Sequence, residues 1–78
     1  MTTIKLSSLK NGQSAVILQI SVPATEADRL SAMGFFVGQR LLKKCSQPLN
    51  GPISLQLNGS NVAISSRLAS HIMVQADV

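Results

Sequence analysis

Apolar and polar residues alternate cleanly in one part of this chain, Ile53-Ser54-Leu55-Gln56-Leu57, where every second side chain is aliphatic. A period of two marks a strand with one buried face. Asn58-Gly59 follows at once, the strongest short signal for a two-residue hairpin turn. That turn sets Leu57 opposite Ser60, Leu55 opposite Val62 and Ile53 opposite Ile64, with the apolar members on one face. Ala15-Val16-Ile17-Leu18-Gln19-Ile20 is almost continuously apolar and rich in β-branched residues. It reads as a first strand with both faces covered, as in a small, strongly curved barrel. Gly38 marks a turn before a strand over Arg40 to Ser46, and Pro48 to Pro52 forms a loop with Asn50-Gly51 at its tip. A helical turn over Ser66 to Ser70 leads into a last strand at Ile72-Met73-Val74.

The pattern changes to helical spacing in two places. Leu6 and Leu9 precede Asn11-Gly12, so Ser7 to Lys10 reads as a single helical turn. Pro23 ends the first strand because it has no N–H for a ladder. Thr25-Glu26-Ala27-Asp28 then fits a helix start, with the Thr25 hydroxyl accepting from the Asp28 amide and acids facing the positive helix end. Ala27, Leu30 and Met33 define one apolar face. Gly34 stops the helix by taking the left-handed conformation after the C-cap, and Phe35 folds back onto Leu30. The expected architecture is mainly β, a small barrel of five or six strands with one principal α-helix near residues 25–33. Its expected core holds Val16, Leu18, Ile20, Leu30, Met33, Phe35, Leu55, Val62, Ile64, Ile72 and Val74.

At 78 residues the chain makes one domain, residues 1–78, with no repeats and no internal linker. A domain of this size buries only about 60 % of its unfolded surface, so it leans on well-placed apolar residues. The lone Cys45 cannot form an internal disulfide, which argues against the oxidised, secreted class. The longest apolar run, Ala15 to Leu18, falls far short of the roughly 18 residues of a membrane span. The N-terminus lacks the features of a secretory signal, so a cytoplasmic protein is expected. Seven Lys and Arg against three Asp and Glu give a formal charge of +4. These cations are scattered, and only Arg40 with Lys43-Lys44 forms a cluster, which a solvated strand face also explains.

Leu6-x-x-Leu9-x-x-Gly12-x-x-Ala15, then Arg29-Leu30-x-x-Met33-Gly34-Phe35-x-x-Gly38, then Pro48, Pro52-Ile53 and Ala69-x-x-Ile72-x-Val74 occur in this order. Together they resemble the FeoA family, the small cytosolic component of ferrous iron uptake, almost end to end. The resemblance implies an SH3-like barrel and a partner rather than a substrate. That partner is the FeoB-type membrane iron transporter, whose cytoplasmic part carries a GTP-binding domain, and the implied role is its regulation or assembly. Two positions depart from the family pattern. Asn50-Gly51 stands where relatives usually carry Gly-Asp, and Ser65 stands where a basic residue is expected, with Arg67 two positions later. Contacts made through that acid or base are not carried over.

The side chains themselves weigh against chemistry. A ferrous site needs several N, O or S ligands converging on one point, and only Glu26 and Asp28 lie close in sequence, where the helix dipole explains them. His71 is expected at the surface, and no metal and no cofactor is assigned. Cys45 and His71 lack an orienting group and oxyanion donors, and the five glycines serve turns singly, so no enzyme is expected. With no Trp, no Tyr and two Phe, the chain cannot line a groove for proline-rich peptides. A small basic barrel that binds single-stranded nucleic acid, or another cytosolic protein, is the alternative reading. It would have only Phe36 for stacking. The SH3-like tail of metal-dependent repressors is a further comparison, but the pattern of these 78 residues signals no DNA-binding helix pair, so a repressor is not expected.

Function is therefore expected on a protein-binding surface. Phe36 and Val37 occupy a turn where polar residues are usual, and Leu49 is similarly placed in the Pro48 to Pro52 loop. Isolated exposed apolar residues are ordinary covers for barrel ends, whereas a contiguous patch marks an interface. Arg29, Arg40 and Lys43 are expected near the patch, where they would steer an acidic partner surface.

Overall fold

The computed structural model describes residues 2–46 and 51–77. In chain order the elements are β1 (Thr2–Lys5), a 3-10 turn (Leu6–Ser8), β2 (Ser14–Ile20), α1 (Ala24–Ala32), β3 (Arg40–Ser46), β4 (Ile53–Leu57), β5 (Ser60–Ile64), α2 (Ser66–Ala69) and β6 (Ile72–Ala76). The strands form one antiparallel sheet in the order β1-β6-β2-β3-β4-β5. The expected barrel thus has six strands, and β1 is the one the hydrophobic pattern did not signal. It carries a single aliphatic residue, Ile4, which pairs with Val74 of β6.

The β4–β5 hairpin has the expected register, with Leu57 facing Ser60, Leu55 facing Val62 and Ile53 facing Ile64. Asn58 and Gly59 both take positive φ (50° and 79°), as the tight hairpin turn requires. Ile53, Leu55 and Leu57 are all buried. Fully burying one such side chain stabilises the fold by about 1.5–3 kcal/mol.

Strand β2 corrects the expected core. Ala15 and Ile17 point inward with 0 % exposure, while Val16 and Ile20 are half-buried and Leu18 lies outside. A continuous apolar run has no alternation from which to read its inward phase. The phase comes from the neighbours: Ala15 faces Leu41 of β3 and Ala76 of β6, and Ile17 faces Val74. A bulge between Ile17 and Gln19 inserts Leu18 as an extra residue opposite β6.

The helix also starts earlier than expected. Pro23 is the N-cap, its carbonyl accepting from Ala27 N–H at 2.9 Å, and no side-chain cap bond forms. Thr25 thus lies inside α1 rather than before it. Of the expected helical core face, Leu30 is buried, Ala27 is half-buried and Met33 is exposed. Near the C-terminus, Ser65 caps α2 by accepting from Leu68 N–H at 3.2 Å. A short hydroxyl suits that position better than the long basic side chain anticipated there.

One cluster joins the inner faces of β2 to β6 with Leu6, Leu9, Leu30, Phe35 and Ala69. A flat six-stranded sheet could not bring these faces together. The sheet therefore curls, helped by the bulge in β2 and a second one between Lys43 and Cys45 in β3.

Candidate partner-binding surface

The surface is built on the end of α1. Met33 is the C-cap, and Gly34 follows at φ +99°, a left-handed conformation that a Cβ would disfavour. Gly34 N–H donates to Ser31 O at 3.0 Å and Phe35 N–H donates to Leu30 O at 2.9 Å. These two bonds form the Schellman closure of the helix, and they send Phe35 into the core beside Leu30.

With Phe35 anchored, the next residues turn sharply. Gln39 N–H donates to Phe36 O at 2.9 Å across a four-residue turn with Gly38 at φ +91°. Glycine is favoured at that third position, which lies in the left-handed region. The turn is then fastened to β2 from both sides: Gly38 N–H donates to Ile17 O at 2.7 Å, and Ile17 N–H donates to Gln39 O at 2.9 Å. Gln39 Nε2 adds a bond to Asn58 Oδ1 at 3.0 Å, tying the turn to the β4–β5 hairpin. Phe36 and Val37 therefore stand on a turn held at both ends, and they remain 52 % and 67 % exposed.

The same backbone bonds bring β2 alongside the turn, so Leu18 follows directly on the residue that holds Gly38. Leu18 is 38 % exposed, and Met33, immediately before Gly34, is 36 % exposed. Sequence periodicity placed both in the core. In the fold both are exposed, one on the strand bonded to the turn and one at the helix end that leads into it. The missed signal was the bulge, which no local residue pattern announces.

The expected cations divide three ways. Arg29 is exposed in the last turn of α1, where a positive charge also opposes the negative helix end. Arg40 is exposed at the start of β3, next to Gln39, and its guanidinium donates to the Asp77 carboxylate. Lys43 is not on the surface: it is 4 % exposed, and its Nζ donates to Leu9 O at the end of the 3-10 turn. Burial pushes the Lys43 ammonium below its ordinary pKa of 10.5. Its backbone grips the same region, since Gly12 N–H donates to Lys43 O and Lys43 N–H donates to Gln13 O. Alternation along β3 puts Lys43 on the inner face with Leu41, so it works as an internal clamp. Leu49 lies outside the described residues.

Among the described residues no three His, Cys, Asp or Glu side chains group closely enough to hold a metal ion. His71 and Cys45 are exposed.

The family described as FeoA domain matches residues 4–76. The chain belongs to the FeoA family. It is 34 % identical over 70 residues to a protein of Methanocaldococcus jannaschii named Fe(2+) transport protein A, covering 90 % of this chain and 83 % of that one. Its fold superposes at a TM-score of 0.90 on the crystal structure of an iron uptake regulatory protein, FeoA, at 26 % identity, covering 97 % of this chain and all of the other. FeoA of Chlorobium tepidum gives a TM-score of 0.89 at 28 % identity, over 96 % of this chain and 71 % of that one. A manganese-dependent transcriptional repressor shares the fold alone, with a TM-score of 0.87 at 20 % identity, and this chain spans 42 % of its length. The sheet described above is thus the SH3-like fold of FeoA proteins, a family associated with ferrous iron transport. No helix among the described residues of this FeoA-family chain is long and apolar enough to cross a membrane.

Proposed function

We propose that this FeoA-family chain is a cytoplasmic accessory protein of ferrous iron uptake. In this reading it docks on the cytoplasmic, GTP-binding part of a FeoB-type transporter and regulates or assembles it. The docking face is the turn from Gly34 to Gly38, with Phe36 as the anchor and Val37, Leu18 and Met33 around it. The observation that carries this reading is the exposure of Phe36 and Val37 on a tethered turn at a helix end, with Leu18 and Met33 also exposed on the strand and the helix it is fastened to. A turn already fixed by backbone bonds to β2 has little conformational freedom left to lose on docking, which favours association. Desolvated aromatic anchors dominate interface energetics, while charges at the rim act mainly on encounter rates. Arg29 is placed for that second role. Arg40 contributes with part of its charge offset by Asp77.

The test is titration of the purified cytoplasmic part of a FeoB-type protein with the parent chain, Phe36→Ala and Arg29→Ala, with and without guanine nucleotide. Phe36→Ala is expected to weaken binding by about tenfold or more, and Arg29→Ala by less. Thermal unfolding of Phe36→Ala should match the parent, because the ring is half exposed. A Phe36→Ala variant that binds like the parent refutes the assignment of this face.

A further inference from the structure

Strand β5 ends the sheet. One of its sides pairs with β4 in an unbroken five-residue register, and no strand covers the other side among the described residues. The backbone groups on that open side follow from the register. Leu57 and Ser60 flank a two-residue turn, which makes them a hydrogen-bonded pair, and the alternation of antiparallel pairing then turns Ser60, Val62 and Ile64 toward β4. Asn61 and Ala63 therefore present their N–H and C=O groups outward, and both residues are exposed.

Natural sheets usually guard such an edge with lysine, proline, a bulge or extreme shortness. The opposite edge, β1, is guarded: it is four residues long and carries the exposed Lys5. Strand β5 has no charge, no proline and no bulge. An edge left open in this way is a template for another strand.

A shallow groove beside this edge indicates what kind of strand fits. It is lined by Lys44, Ser54, Asn61, Val62 and Ala63. Lys44 is the extra residue of the β3 bulge and is exposed. Between it and the edge stand Ser54 and Ala63, a facing pair of small side chains. These leave a trough running from the ammonium to the open side of β5. Lys44 has no ion-pair partner among the described residues, and no Asp or Glu occurs anywhere between Arg29 and Ala76. The charge this groove lacks must come from the occupant. A second copy pairing through its own β5 would offer Ser60-Asn61-Val62-Ala63-Ile64, which carries no acid for Lys44.

We propose that the open edge of β5 receives an extended, acidic segment of a partner protein as a seventh strand, with a carboxylate of that segment reaching Lys44 along the trough. Main-chain bonds to Asn61 and Ala63 supply the pairing, and Lys44 supplies the preference for acid. This site lies apart from the Gly34–Gly38 turn and does not depend on its role.

The full chain, labelled with nitrogen-15, is titrated with a short peptide of alternating threonine and valine that carries one central glutamate. The same peptide with glutamine or lysine at that position serves as comparison. The glutamate peptide is expected to shift the Asn61 and Ala63 amide signals saturably and to slow their hydrogen exchange. The glutamine peptide should bind about two- to fivefold more weakly, the effect of one exposed ion pair. Lys44→Glu should reverse the preference in favour of the lysine peptide, while Phe36→Ala leaves glutamate-peptide binding unchanged. The proposal is overturned if Asn61 and Ala63 show no saturable shift, or if the shifts gather elsewhere. Equal binding of the three peptides, or self-association of the chain through the same two amides, overturns it as well.

Discussion

Replacing Lys43 tests the internal clamp directly. In Lys43→Ala the chain loses three buried methylenes, each worth about 0.8 kcal/mol, and the Leu9 carbonyl at the end of the 3-10 turn loses its donor. An unsatisfied buried acceptor adds about 1–3 kcal/mol. Removing the ammonium also removes the cost of burying its charge, which offsets part of this, and the net is a loss of about 2 kcal/mol, a large part of the stability of so small a domain. For a domain of about this length each kcal/mol moves the melting midpoint by about 4–8 °C, so Lys43→Ala should melt about 8 °C or more below the parent. Lys43→Met keeps the stem and removes the charge. It orphans the Leu9 carbonyl and sheds the cost of burying the ammonium just as Lys43→Ala does, but it fills the place of the three methylenes, worth about 2.4 kcal/mol. The orphaned carbonyl and the shed charge oppose each other, and Lys43→Met should lie much closer to the parent than to Lys43→Ala. The pH dependence has a definite sign. Burial holds the folded-state pKa below 10.5. Between that folded value and 10.5 the unfolded chain carries more protons on this side chain, so stability rises with pH. The unfavourable burial of charge is fully present below the folded pKa and gone above 10.5. Thermal melts recorded from neutral pH to 10.5 should show the parent gaining on Lys43→Met as pH rises. A gap that is flat or moves the other way, or a Lys43→Ala midpoint within about 4 °C of the parent, refutes the burial argument.

Two further substitutions separate backbone from surface effects. Gly34→Val should lower the melting midpoint through a loss on the order of 1–2 kcal/mol, because a side chain in the left-handed region is strained. A Cβ there would meet nothing within 4 Å, so Gly34→Ala should behave nearly alike, and an unchanged midpoint in both would refute the helix-closure account. Leu18→Thr should change stability by less than about 1 kcal/mol yet weaken binding to the FeoB-type cytoplasmic part. A core-sized loss of stability would place Leu18 inside instead.

What the sequence determined by itself was local. Asn58-Gly59 dictates a tight turn through the backbone preferences of two residues, and the alternation on either side then sets the β4–β5 register without help from the rest of the fold. The closure at Gly34 is equally local, since its two hydrogen bonds span only residues 30–35. The family's motif order also sits in the sequence, and the FeoA match over residues 4–76 agrees with it. Tertiary structure decided whatever depended on a distant partner. The inward phase of β2 was set by Leu41, Val74 and Ala76, because an uninterrupted apolar run offers both faces equally. Strand β1 exists because β6 supplies its ladder. Lys43 is drawn inside because the carbonyl that receives it comes from Leu9, far away in sequence and adjacent only after folding. Leu18 and Met33 are left outside because the bulge in β2 and the end of α1 turn them to the surface. Sequence periodicity identifies residues able to be buried; which of them stay exposed is settled by how many inward positions the curled sheet offers.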